Sequence, residues 1–257
     1  MTDAFNGKTV IVTGASGGIG GACVRQLLAG GANVVLVDRS AEKMAPLAEP
    51  GGERALALVA DVASEADMAG MAEKTIARFG AIDALVAAAG ILRTSAQPRT
   101  VADTDMDEWR TILAVNLTGI FLSNRAVLPQ MLKQGRGDIL NVSSTSGRQG
   151  RPFDAAYSAS KFGVVGFSES LAEEVGRSGV RVQTLLPDAV DTPIWEQNGS
   201  AGFKPPQMLT PERVAEAILY MISLPRDTYL LNPTIYPTRQ RARRKPAAPA
   251  GETKALA

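Results

Sequence analysis

A short β-branched run, Lys8-Thr9-Val10-Ile11-Val12, leads straight into Thr13-Gly14-Ala15-Ser16-Gly17-Gly18-Ile19-Gly20, and Gly21 to Ala29 then carries a helical pattern. No other feature limits the fold so tightly. Buried strand, glycine-rich turn and helix in that order open the first unit of a dinucleotide-binding α/β sheet. Glycine lets the backbone approach a pyrophosphate with no Cβ in the way, and the helix start offers free N–H groups and a positive dipole end. A plain tight turn is the competing reading. Four glycines in eight residues at the first strand weigh against it.

Further apolar runs near 33–37, 54–60, 82–87, 138–143 and 180–186, with a weaker one near 228–236, alternate with helical patterns. The longest helical stretches lie near 105–134 and 154–177. Near-continuous apolar strands alternating with helices imply a parallel sheet covered on both sides. The expected fold is α/β: one doubly wound, mostly parallel seven-stranded Rossmann sheet with helices on both faces, a single domain over residues 1–238. Ligands in such sheets bind beyond the carboxyl ends of the strands. The glycine loop, Asp38, Asp61, Gly90, Ser144 and Thr192 all fall at or just after such ends.

At 257 residues and 45% hydrophobic content, one large core is within reach. The chain has no histidine, which excludes histidine-based metal sites and Ser-His-Asp hydrolysis. Its one cysteine, Cys23, excludes an intrachain disulfide. No apolar stretch approaches the ~20 residues of a membrane span, and no signal-peptide pattern opens the chain, so a cytoplasmic protein without membrane contact is expected. Residues 239–257 form a basic, Pro/Ala-rich tail with six Lys/Arg and one Glu, against 21 basic and 25 acidic residues in the body. A solvated terminus is the preferred reading over nucleic-acid contact.

Tyr157 and Lys161 stand four residues apart, on one face of a helix, and Ser144 lies thirteen residues before the tyrosine. These types make an acid/base device for a carbonyl or carbinol oxygen. An ammonium beside a phenol favours the phenolate, so the tyrosine pKa is expected to fall from about 10. A tyrosine so tuned exchanges a proton near neutral pH. Tyr-x-x-x-Lys alone is a weak signal; the glycine loop gives it weight.

Together these motifs resemble the short-chain dehydrogenase/reductase superfamily, in its single-domain branch of about 250 residues. Thr13-Gly14-x-x-x-Gly18-Ile19-Gly20 matches the cofactor motif. Asn116 in Val115-Asn116-Leu117-Thr118-Gly119, Ser144, Tyr157 and Lys161 match the four catalytic positions, and the likeness covers roughly residues 5 to 238. The resemblance implies an NAD(P)-dependent alcohol dehydrogenase or ketoreductase moving a hydride between nicotinamide and a secondary alcohol or ketone. Tyr157 would be the general acid/base, and Lys161 would hold the nicotinamide ribose. Ser144 would bind the reacting oxygen, and Asn116 would anchor a water next to Lys161. Gly14, Ser16, Gly18, Ile19 and Gly20 would cradle the pyrophosphate, while Asp61 and Val62 would touch adenine. Ala88 and Gly90 would line the cofactor, and Val190 and Thr192 would contact the carboxamide. Asp38, after the second strand, favours NAD over NADP by binding ribose hydroxyls and repelling a 2′-phosphate, although Arg39 beside it works the other way. A homodimer or homotetramer is implied, paired through the two long helices.

Two departures stand out. Ala87-Ala88-Ala89-Gly90 lacks the usual asparagine pair, leaving strand ties to packing or water. Pro187-Asp188 replaces Pro-Gly, and puts a carboxylate near the nicotinamide position, where the open readings are that it favours NAD⁺ over NADH, points to solvent, or encroaches on the pocket and weakens binding. The substrate pocket is expected from loops 91–97, 145–154 and 193–208. Leu92, Arg93, Arg148, Gln149, Arg151 and Phe153 lie in the first two, and Trp195, Phe203 and Met208 in the third suggest an apolar lid. Two competing classes are a cofactor-binding regulatory or scaffold protein with little turnover, and a nucleic-acid binder acting through the tail.

Overall fold

The computed structural model describes residues 4–199 and 204–238. Phe203 and the tail 239–257 therefore lie outside the described residues.

The first strand, β1 (Thr9–Thr13), is buried at every position and sits at the middle of the sheet. The others are β2 (Asn33–Asp38), β3 (Ala55–Val59), β4 (Ala84–Ala87), β5 (Gly137–Val142), β6 (Val180–Pro187) and β7 (Thr234–Ile235). Their order is β3-β2-β1-β4-β5-β6-β7, and every pairing is parallel. The connections are the helices α1 (Gly18–Ala29), α2 (Ala41–Ala48), α3 (Glu65–Phe79), α4 (Met106–Leu113), α5 (Gly119–Gln134), α6 (Ala155–Val175) and α7 (Pro211–Ser223).

Two apolar layers hold the sheet. Val10, Val12, Val34 and Leu36 face one side and pack with Leu27 of α1 and Ile218 of α7. Ile11, Val35, Leu85 and Ile139 face the other, against Met68 of α3, Met131 of α5 and Val164 of α6. Successive strand residues thus alternate between two covered faces, which is why the strands are apolar throughout rather than at every second position. The chain builds outward from β1 to β3, then returns to pair β4 on the other side of β1. That reversal opens a crevice at the carboxyl ends of β1 and β4.

Two elements differ from the sequence reading. The last strand shrinks to two residues, because Pro233 and Pro237 flank it and proline donates no ladder hydrogen bond. The stretch 105–134 is one continuous helix, but Ala114–Thr118 is wound as a π-helix between α4 and α5. By length and hydropathy that helix is also able to cross a membrane, contrary to the expectation that no segment reaches such a length. Its buried residues, among them Ile120, Val127 and Met131, instead join the core beside the sheet.

Candidate active site

Helices α2, α3, α4 and α7 are each capped by a side chain: Ser40, Ser64, Asp105 and Thr210 accept N–H bonds from the third residue beyond. Helix α1 has no such cap. Gly17 precedes it, and no acidic residue stands in its first turn. The N–H groups of Gly18, Ile19 and Gly20 therefore open the crevice with an uncancelled positive end, the arrangement that takes a phosphate.

The glycines are required by close approach. Gly14 has φ +68, and a Cβ there would lie 2.7 Å from Ala89 Cα. A Cβ on Gly18 would strike the Thr192 side chain, and one on Gly20 would strike the Gly14 carbonyl. Gly14→Ala is expected to cost about 2 kcal/mol or more, from left-handed backbone plus overlap with β4. Gly80 (φ +76) meets nothing within 4 Å, so Gly80→Ala should cost only the backbone share, about 1 kcal/mol. Urea midpoints of the two variants check the difference.

Asp38 ends β2 at the rim of this crevice. Its Oδ2 accepts from Ser16 N at 3.1 Å, and Oδ1 accepts from Arg39 N at 2.8 Å. Asp38, Arg39, Asp61, Val62, Ala88 and Gly90 line a recess of about 180 Å³ next to the glycine loop. Asp61 Oδ1 accepts from Ala63 N at 2.9 Å, which fixes the turn after β3. Val62 packs on Gly119, where a Cβ would lie 2.7 Å from Val62 Cγ2. A two-phosphate nucleotide fits this donor set: bare helix N–H groups, glycine-only clearance and a carboxylate at the strand end.

Tyr157 and Lys161 lie one turn apart on α6, and Ser144 follows β5. Lys161 is buried; its Nζ donates to Val142 O at 3.0 Å and lies 5.7 Å from the Tyr157 ring centre. Burial pulls the Lys161 ammonium down to about 8. Burial also pushes the Tyr157 phenol up to about 12; the Ser144 hydroxyl bonded to it acts downward, and the Asp154 carboxylate acts upward. The expected lowering of the tyrosine by its lysine is therefore not found. Desolvation of the phenolate outweighs the ammonium, which is aimed at a backbone carbonyl instead.

Asn116 stands in the π-helical segment and is fully buried. Its Oδ1 accepts from Ile91 N at 2.8 Å, while Nδ2 donates to Ile91 O at 2.8 Å and to Ser160 Oγ at 3.1 Å. The amide ties the segment after β4 to α6. A Cβ on Gly90 would lie 3.4 Å from Asn116 Oδ1 and 3.6 Å from Lys161 Nζ, so Gly90 fills the space between the two side chains. No asparagine side chain stands at Ala87, and the neighbouring strand is tied to helices α5 and α6 instead. Asn141, opposite Ala87 in register, exchanges hydrogen bonds of 2.8 and 3.0 Å with Asn124 and donates to Ser168 Oγ at 2.9 Å.

A cavity of about 440 Å³ opens over Ser144 and Tyr157. Leu92, Val190, Ile194 and Trp195 supply apolar wall, and Thr192 lines it beside Ile19. The Trp195 indole N–H donates to Val190 O at 2.8 Å, which folds Pro193–Asn198 over the opening. Gln197 Oε1 accepts from Leu92 N at 2.7 Å and Arg93 N at 3.2 Å, joining that segment to the loop after β4. Of the sequence candidates, Arg151 lines the cavity, whereas Arg148, Phe153 and Met208 do not. Arg93 is buried and pairs with Asp154. Asp154, Thr145 and Gln207 also line the cavity; they lie within the expected pocket loops 145–154 and 193–208 but were not singled out there. For Asp154 a signal existed: it stands three residues before Tyr157, on the same helical face. Asp188 also lines the cavity, held by Thr145 and Arg151.

The sequence profile of the family described as short chain dehydrogenase matches residues 8–201, and the chain belongs to that family of oxidoreductases. An uncharacterized oxidoreductase of Staphylococcus haemolyticus is 33% identical over 238 residues, spanning 92% of this chain and 100% of that protein. The cis-4-hydroxycyclohexanecarboxylate dehydrogenase of Sinomonas cyclohexanicum is 36% identical, over 87% and 92% of the two chains. The crystal structure of an alcohol dehydrogenase from the archaeon Thermococcus sibiricus, complexed with 5-hydroxy-NADP, superposes with a TM-score of 0.80. It is 27% identical, with 91% of this chain and 98% of that one covered.

Proposed function

We propose that the protein interconverts a secondary alcohol and a ketone with a nicotinamide dinucleotide, NAD in preference to NADP. The observation that carries this reading is the convergence of Ser144 and Tyr157 on one cavity with buried Lys161 a turn behind. When bound, the dinucleotide supplies the hydride donor or acceptor. The rest is the work of the chain's own residues. Ser144 and Tyr157 hold the substrate oxygen, and Tyr157 gives or takes its proton. Lys161, a charged donor in a dry site, holds a ribose hydroxyl. Asn116 fixes the backbone beside Gly90, and Trp195 with Leu92 excludes water.

A ring-borne hydroxyl appears in the name of the Sinomonas relative, and a cavity of about 440 Å³ accommodates a single small ring. We place the protein in the cytoplasm, as a homodimer or homotetramer. Phe121 of α5 and Phe162 of α6, both exposed, supply an apolar face for self-association. The 239–257 tail is read as a solvated extension.

Asp38 decides the cofactor. Its carboxylate, anchored by Ser16 N and Arg39 N, accepts from ribose hydroxyls and repels a 2′-phosphate. Titration with NADH and NADPH at equal ionic strength, following energy transfer from tryptophan, should give NADH about tenfold tighter binding or better, some 1.4 kcal/mol. Tighter NADPH binding would mean that Arg39 outweighs Asp38.

A further inference from the structure

Asp188 stands where its backbone is tightly placed. Its N–H donates to Ile235 O at 2.9 Å, and Pro187 before it pairs with Ile235 at the end of β6. The side chain turns toward the cavity above Ser144 and Tyr157. One oxygen, Oδ1, is held from behind: Thr145 Oγ1 donates to it at 3.0 Å, and Arg151 Nη2 lies 3.7 Å away. The second oxygen meets no donor among the described residues. At 3.7 Å the arginine is an ionic neighbour rather than a hydrogen-bond donor.

The cavity wall carries a second carboxylate, Asp154, whose own partner Arg93 lies outside the cavity lining. Arg93 neutralises Asp154 from behind, which leaves Asp188, with Arg151 only at 3.7 Å, as the less compensated carboxylate on the wall. The remaining wall is largely apolar, with Leu92, Val190, Ile194 and Trp195. An acidic substrate group brought against the open Asp188 oxygen meets a like charge. A wholly apolar substrate strips water from the free Asp188 oxygen and returns nothing. A second hydroxyl satisfies it.

We propose that Asp188 is a specificity-determining residue that selects neutral alcohols bearing a second hydroxyl. Thr145 and Arg151 hold its carboxylate in place. This inference rests on reading the cavity as the substrate site, and it narrows the substrate class to diols and polyols over simple alcohols and hydroxy acids.

The test uses three probes on the full-length protein: cyclohexanol, cyclohexane-1,4-diol and cis-4-hydroxycyclohexanecarboxylate. Binding is measured by ligand-observed NMR, and oxidation is measured separately with NAD. The diol should bind about tenfold or more tighter than the alcohol, and the acid weakest. In Asp188→Ala the diol advantage should disappear and the acid should gain. Asp188→Asn, which keeps an acceptor without the charge, should retain part of the diol preference and lose the discrimination against the acid. Equal affinity for alcohol and diol in the wild type, a diol preference that survives Asp188→Ala, or tightest binding of the acid would each overturn the assignment. Because binding is read without turnover, the two readings fail separately. Asp188-dependent diol binding with no oxidation would leave this inference standing and remove the dehydrogenase reading. Equal oxidation of all three would do the reverse.

Discussion

Tyr157→Phe should lower turnover by about a thousandfold or more while leaving the folded protein nearly unchanged. Phenylalanine keeps the ring that forms part of the cavity wall, so packing around the start of α6 survives. What is lost is the one hydroxyl that joins Ser144 to the reacting oxygen, and general acid/base catalysis of this kind contributes about 10²–10⁴ in rate. Among the described residues no other tyrosine and no cysteine lines the cavity to replace it, and the chain has no histidine. The variant should bind NADH within about threefold of wild type, under 1 kcal/mol. Its Tm should shift by no more than about 2 °C. Steady-state kinetics, cofactor titration and a thermal melt together decide. Turnover above about a tenth of the wild-type rate would remove Tyr157 from the proton-transfer step.

Lys161→Met should instead raise stability. The lysine is buried with one hydrogen bond, to Val142 O, and its ammonium sits in a place that drags it from 10.5 to about 8. A lowered amine pKa means the folded state binds the proton less well than the unfolded chain does. Below pH 8 both states are protonated, and folding bears the whole penalty, about 3 kcal/mol. Between pH 8 and 10.5 the unfolded chain alone stays protonated, so rising pH relieves the folded state. Methionine removes the penalty at every pH but leaves the Val142 carbonyl without its donor, which returns about 1 kcal/mol. The variant should therefore melt about 4–8 °C higher at pH 7 while losing activity. Its advantage should shrink as pH rises from 8 to 10.5. Burial also raises Cys23 and Tyr157, and both contribute stability lost at alkaline pH, but these are common to the two proteins and cancel in the comparison. A variant that melts lower at pH 7, or an advantage constant with pH, would contradict a desolvated charge at Lys161.

Much of this molecule was readable from residue order. The strand, glycine loop and helix at residues 9–29 announced a parallel sheet with a crevice at its switch point, because glycine at φ +68 and a capless helix start leave few alternatives. The apolar runs located the strands, most sharply the inner ones, since a strand covered on both faces must be apolar at successive positions, and least well the two-residue β7 within 228–236. Spacing alone put Tyr157 and Lys161 on one helical face. Asp38 was placed at a strand end, although its hold on the Ser16 N–H depends on two segments far apart in sequence.

What the sequence could not convey was how neighbours in space share partners. The π-helical turn at Ala114–Thr118 has no residue signature; it exists because Asn116 must face Ile91 and Ser160 at once. The tyrosine pKa reversed its expected direction because desolvation depends on everything packed around the hydroxyl, not on one lysine a turn away. Asp154 gained its place beside the tyrosine through Arg93, sixty-one residues earlier. Sequence fixes periodicity, and periodicity fixes which face a residue takes. Only the closed tertiary structure decides which partner meets it there, and in this protein those long-range pairings set the charge and shape of the cavity.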